Sequence, residues 1–162
     1  MICYRKATLD DLERVWDYNM AMNPEEPRMQ RWKESYITRN VENRAATYVV
    51  VIDGEPVGEV TLDYYAEAYG NPEIRKHLAD GSKQGYLTAL RIRKEFEGNG
   101  YISGLMRFVE QDAAQKGFTA LTIGVEAAET RNLAMYLHWG YNRYVIAEQD
   151  GDELVLFYEK QL

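Results

Sequence analysis

Leu90-Arg91-Ile92-Arg93-Lys94-Glu95-Phe96-Glu97-Gly98-Asn99-Gly100-Tyr101-Ile102-Ser103 carries the main structural signal of this 162-residue chain. The run Tyr86 to Ile92 reads as a strand that ends among cations, and a Gly-x-Gly turn follows it. From Gly100 to Lys116, Ile102, Leu105, Met106, Val109 and Ala113 recur at helical spacing, with Gly117 as the stop. The unpaired N–H groups of a helix's first turn, with the helix dipole, make an anion site. Glycine lets such a backbone approach a phosphate and take positive φ. Arg91, Arg93 and Lys94 stand beside this turn although the chain carries a net charge of −7. A ligand with a pyrophosphate explains both facts, and a plain tight turn beside a solvated strand end explains them too. A P-loop is excluded, because Tyr101 follows the second glycine where Lys-Ser/Thr is required. The dinucleotide fingerprint wants a third glycine at Ser103 and an opening βαβ unit, so it remains only a competitor.

Outward from this junction the elements alternate irregularly. Ile2 to Lys6 reads as a strand. Thr8, with Asp11 three residues on, forms a variant capping box, and Leu9, Leu12, Val15, Trp16 and Asn19 follow at helical spacing. Asn23-Pro24 and Pro27 break the chain before a second helix, Arg28 to Arg39, with Met29, Trp32, Tyr36 and Ile37 on one face. Thr47 to Ile52 and Val57 to Tyr65 flank Asp53-Gly54 as a hairpin. The connection 66–85 is long and contains Asn71-Pro72, a helix start, and Asp80-Gly81, a stop; a connection of this length suits a lid or binding loop, or a surface elaboration. Leu121 to Val125 reads as a strand parallel to the one ending at Ile92, joined through the helix. A helix from Thr130 to Trp139 and two strands around Asp150-Gly151 complete the chain. The expected class is α+β: one domain, residues 1–162, with a single mixed, mostly antiparallel sheet of about seven strands and four flanking helices.

Composition narrows the function. With 26 acidic against 19 basic residues, a nucleic acid or an anionic membrane is not the expected partner. No apolar run reaches the roughly 18 residues of a membrane span, and the N-terminus turns polar too early for a signal peptide. Cys3 is the only cysteine, which points to the cytoplasm, and it reads as a small hydrophobe of the first strand. The two histidines, His77 and His138, lie far apart without carboxylate or thiol companions, so neither a metal site nor a Ser-His-Asp triad is expected.

Two segments together resemble the GCN5-related N-acetyltransferase (GNAT) family. Ile92-Arg93-Lys94-Glu95-Phe96-Glu97-Gly98-Asn99-Gly100-Tyr101-Ile102 is similar to the family's strand end and Arg-Gly-x-Gly-x-Gly/Ala turn. Met135-Tyr136-Leu137-His138-Trp139-Gly140-Tyr141 is similar to its later Leu-Tyr-x-x-x-Gly-Phe segment, and the element order agrees over essentially the whole chain. The resemblance implies the acyl-CoA N-acyltransferase fold, with a V-shaped splay between the two central parallel strands. It implies an enzyme moving an acetyl group from acetyl-CoA, as co-substrate, to a primary amine of a small molecule or peptide. Backbone groups of Leu90 and Ile92 would bond the pantetheine arm, amides of Gly98, Asn99, Gly100, Tyr101, Ile102 and Ser103 would hold the pyrophosphate beside Arg91, and Tyr136 would protonate the leaving thiolate. Glu97 stands where the family has Arg or Gln, Ile102 where it has Gly or Ala, Glu129 where it has Asn, and Asn132 where it has a small residue. These departures leave open a non-catalytic acyl-CoA-binding module.

The acceptor side rests on weaker signals. A primary amine with pKa near 10 is mostly protonated at neutral pH and needs a base. Glu59 is the first candidate, sharing with Thr61 and Asp63 the strand face opposite Val60 and Leu62, and an exposed sheet face is its structural reading; Asp63 and Glu67 are alternatives. The Met20–Pro27 connection, with Met20, Met22 and Met29 as an adaptable wall, and the 66–85 segment as a lid are the expected pocket walls. The final strand, taken as an exposed edge, offers pairing with a second copy, a homodimer.

Overall fold

The computed structural model describes all 162 residues. The elements are β1 (Ile2–Lys6), α1 (Leu9–Met22), α2 (Met29–Val41), β2 (Ala45–Ile52), β3 (Glu55–Asp63), α3 (Pro72–Leu78), β4 (Gln84–Ile92), a 3-10 turn (Lys94–Phe96), α4 (Tyr101–Gln115), β5 (Ala120–Glu126), α5 (Thr130–His138), β6 (Arg143–Asp150) and β7 (Glu153–Gln161). The seven strands are hydrogen-bonded in the order β1-β2-β3-β4-β5-β7-β6, a mixed sheet that agrees with the expected class. There are five α-helices rather than four, the fifth being the short one anticipated within 66–85. The chain forms two compact units, Met1–Leu62 with Ala89–Val109, and Asp63–Thr88 with Glu110–Leu162; β4 and α4 each run from one into the other.

In the first unit, α1 starts where local chemistry dictates. The Thr8 hydroxyl accepts from the Asp11 amide (3.1 Å), and the Asp11 carboxylate accepts from the Thr8 amide (2.8 Å) and pairs with Arg5. Two free helix donors are thereby satisfied at once. The apolar stripe of α1 divides between two clusters. Val15 packs with Val49 and Val51 of β2, while Trp16 packs with Met29 and Tyr36 of α2. β1 runs antiparallel to β2 from Ile2 opposite Ile52 to Lys6 opposite Tyr48. Because β1 is an edge strand, Cys3 is exposed, contrary to the expected apolar site. The Arg93 amide donates to Val57 O (2.9 Å), tying the end of β4 to β3.

One expectation fails in β3. From Pro56 to Asp63 the strand is buried on both faces, so Glu59, Thr61 and Asp63 do not line a solvated side. Residues distant in sequence cover that face. Asn19 of α1 reaches Glu59, the Thr61 hydroxyl shares a 2.7 Å hydrogen bond with that of Thr47, and Asn40 of α2 donates to Thr47. A polar layer inside the unit replaces the predicted exposed face, and buried polar groups persist there because they are paired.

In the second unit, β4 pairs with β5 in parallel from Gln84 opposite Ala120 to Leu87 opposite Ile123. That ladder covers less than half of β4, in keeping with the splay the resemblance implies. β5 pairs antiparallel with β7, and β6 lies outside β7. The final strand is therefore interior, not the edge that the dimer expectation assumed; the β6–β7 hairpin turns back so that β6 occupies the rim. The segment 66–85 is well anchored: Ala66, Ile74, Leu78 and Ala79 are buried with Tyr86 and Phe157. Asn71 caps α3 by accepting from the Glu73 amide (3.0 Å), and the Tyr69 hydroxyl donates to Glu148 (2.5 Å).

Gly124 on β5 gives a first prediction. A Cβ there would lie 2.7 Å from the ring of Phe157, which is fully buried. Gly124→Ala is expected to cost about 1–3 kcal/mol, which for a chain of this size lowers Tm by roughly 3–10 °C. An unchanged Tm in thermal denaturation would show that the ring is freer than this packing implies.

Candidate active site

The junction between β4 and α4 is formed as the sequence suggests. Gly98 (φ 78°) and Gly100 (φ 79°) are both in the left-handed region, which no side chain favours. Asn99 between them ties the turn down, its side-chain amide donating to Phe96 O and Glu97 O, both at 3.2 Å. The first bond of α4 runs from the Gly104 amide to Gly100 O (3.0 Å), which leaves the amides of Tyr101, Ile102 and Ser103 as the free first-turn donors. No acidic residue lies in that turn, and the space a Cβ would take at Gly98 and Gly100 is open. These features fit a poly-anion such as the CoA pyrophosphate. Glu97 is exposed and Ile102 half-buried, so neither departure closes the turn.

The cations are arranged differently from the sequence reading. Lys94 is exposed at the start of the 3-10 turn. Arg93 instead lies over the ring of Tyr18, 4.1 Å from its centroid, and 3.7 Å from Glu55. Arg91 donates from Nη1 to Glu59 Oε1 (3.0 Å) and lies over the Trp16 ring at 4.9 Å. Two of the three cations are thus engaged with α1 and β3.

Glu59 and Arg91, predicted for different roles, meet in the first unit. Glu59 is only 2% exposed, and its Oε1 accepts from Asn19 Nδ2 (2.9 Å) as well as from Arg91. Burial pushes its carboxyl above the ordinary glutamate range, and the charge of Arg91 with the Asn19 hydrogen bond pulls it part of the way back. A carboxylate with raised proton affinity suits a general base. The alternatives Asp63 and Glu67 belong to the second unit, where Asp63 is fully buried and accepts from the Ala68 amide (2.8 Å).

Sequence reasoning missed Asn19 and Trp16 as members of this cluster. Asn19 was legible as the single polar residue on the apolar stripe of α1. It also missed Ala89, whose φ of 55° inside β4 is rare for a residue with a Cβ and marks an irregularity in the strand just before Leu90–Ile92.

Tyr136 lies on α5 in the second unit, 9% exposed, its ring 6.0 Å from that of Trp139. Its hydroxyl makes no hydrogen bond within the protein. Burial first, and the negative charge of Glu129 second, raise its pKa above the ordinary tyrosine value, so it stays protonated at neutral pH. Glu129 and Asn132, the two departures near the start of α5, bond to each other, Asn132 Nδ2 donating to Glu129 Oε2 (2.9 Å).

The order of strands and helices, with one seven-stranded mixed sheet, defines an acyl-CoA N-acyltransferase fold. The sequence model of the acetyltransferase (GNAT) family matches residues 9–141, and the chain belongs to that family. Three solved structures illustrate the shared fold. The PaiA N-acetyltransferase of Thermoplasma acidophilum in complex with coenzyme A has 18% identity and a TM-score of 0.67, over 100% of this chain and 99% of that one. An N-acetyltransferase of Staphylococcus aureus Mu50 has 16% identity and a TM-score of 0.71, over 99% and 98%. Arabidopsis thaliana NAA60 in complex with a bisubstrate analogue has 17% identity and a TM-score of 0.70, over 99% and 98%. Comparison with curated proteins finds no significant match. The chain is an acyl-CoA-dependent N-acetyltransferase whose co-substrate is acetyl-CoA. No helix is long and apolar enough to cross a membrane.

Proposed function

We propose that residues 1–162 act as one catalytic domain that acetylates the primary amine of a small molecule or peptide by direct transfer. Glu59 serves as the base, accepting the proton that the amine must lose before it attacks the thioester carbonyl. Tyr136 serves as the acid, giving its proton to the sulfur as the C–S bond breaks. The amides from Gly98 to Ser103 receive the pyrophosphate, the backbone of Leu90 and Ile92 receives the pantetheine arm, and Glu129 with Asn132 borders the cofactor near the start of α5. The acceptor meets the Met20–Pro27 connection. The single exposed cysteine suits a reducing cytoplasm.

The observation that carries this reading is the pair of left-handed glycines at the start of α4, with open space where side chains would stand. Acetyl-CoA at 100 times its Kd is expected to stabilise the protein by about 2.7 kcal/mol, a rise in Tm of roughly 5–10 °C. Stabilisation by NAD or ATP with none from acetyl-CoA would overturn the assignment of the turn.

A further inference from the structure

Arg91 has a commitment that binding acetyl-CoA does not require. One side of its guanidinium is fixed: Nη1 donates to Glu59 Oε1, and the group lies over the buried indole of Trp16. Its Nε and Nη2 have no hydrogen-bond partner in the protein, and the side chain is 37% exposed. Glu59 is the inverse case, 2% exposed, with both of its hydrogen bonds falling on Oε1 and none on Oε2. The Trp16 under Arg91 belongs to a buried cluster with Met29 and Tyr36, against which Met20 and Trp32 pack half-buried.

A buried carboxylate needs a counter-charge, and Arg91 supplies it. That need accounts for one guanidinium edge and leaves the other unexplained. A planar fork immobilised by a carboxylate and an aromatic ring, with N–H groups still free, is preorganised for a second carboxylate. Beside it, Glu59 Oε2 is free to accept from an amine. A ligand matching both groups carries the reversed order of charge, its anion toward Arg91 and its amine toward Glu59. A plain alkylamine answers only Glu59 and leaves the free donors of Arg91 unmatched.

We infer that the acceptor is an amine bearing a carboxylate on the same or the next carbon, an amino-acid-like zwitterion, and that Arg91 selects it by holding that carboxylate. The inference rests on the acetyltransferase reading with Glu59 on the acceptor side.

The test measures thiol release from acetyl-CoA with matched acceptors: an amino acid, its amide and the amine left after decarboxylation, across several side chains. The free carboxylate is expected to raise kcat/KM roughly 10- to 100-fold, the scale of charge-assisted hydrogen bonds. In Arg91→Gln that preference falls tenfold or more through acceptor KM, while the KM for acetyl-CoA moves little. Arg91→Lys, which keeps the charge and so does not strand Glu59, isolates loss of the fork from loss of folding and is expected to show the same split. Equal or better turnover of the amide or decarboxylated amine overturns the inference but spares the acetyltransferase reading. So does an Arg91→Lys penalty confined to acetyl-CoA KM. No stabilisation by acetyl-CoA and no thiol release with any amine overturns both.

Discussion

Replacing Tyr136 by Phe is expected to lower kcat about 10²- to 10³-fold while the stabilisation by acetyl-CoA stays close to that of the unmodified protein. The substitution removes one oxygen. The ring is 9% exposed and packed beside Trp139, so phenylalanine fills the same volume. The hydroxyl has no hydrogen-bond partner in the protein, so no neighbour is stranded by its loss. A stability change within about 1 kcal/mol follows. The direction of the pKa shift adds a pH signature. Burial and Glu129 raise the folded value, so the acid form persists to higher pH than in a free tyrosine. Loss of kcat through Tyr136 ionisation is therefore expected only above about pH 10, the ordinary tyrosine value. A Phe variant with unchanged turnover would remove Tyr136 from the chemistry.

Gly100→Val is expected to weaken acetyl-CoA binding at least about 100-fold, seen as loss of the Tm rise at a saturating concentration. Two causes act together. At φ 79° a β-branched residue is strained by about 1–3 kcal/mol, and relief of that strain reshapes the start of α4. The new side chain also stands in the open space in front of the free amides. Gly151→Val is the matched control: Gly151 has φ 61° and open space around it, but lies in the β6–β7 turn. It should lose similar stability and keep the acetyl-CoA response. Equal loss of that response in both variants would make the effect one of general destabilisation.

How far the sequence could be read depended on the range of the interactions involved. The capping box at Thr8 and Asp11, the Asp53-Gly54 turn and the Asn71-Pro72 helix start are decided within a few residues, and each formed as expected. The Gly98–Gly100 turn belongs with them. The exposure of the Glu59 face was misread because alternation along β3 shows which residues share a face but not what covers it. Glu59's partners Asn19 and Arg91 are 40 and 32 residues away along the chain. For the same reason the sequence did not show that Trp16 and Tyr18, two residues apart on α1, lie under the guanidinium groups of Arg91 and Arg93. The interior place of β7 was equally unreadable, since strand order depends on which side of β5 the closing hairpin docks. Ala89 gave no warning, because alanine is not a residue whose type advertises positive φ.

The most direct measurement is acceptor-dependent release of free thiol from acetyl-CoA, with the acceptor's mass followed in the same reaction. One thiol is expected for each acetyl group gained on the acceptor amine, at a rate that falls with Tyr136→Phe. Stabilisation by acetyl-CoA with neither thiol nor acetylated amine, across amino acids, small amines and peptides, would contradict it.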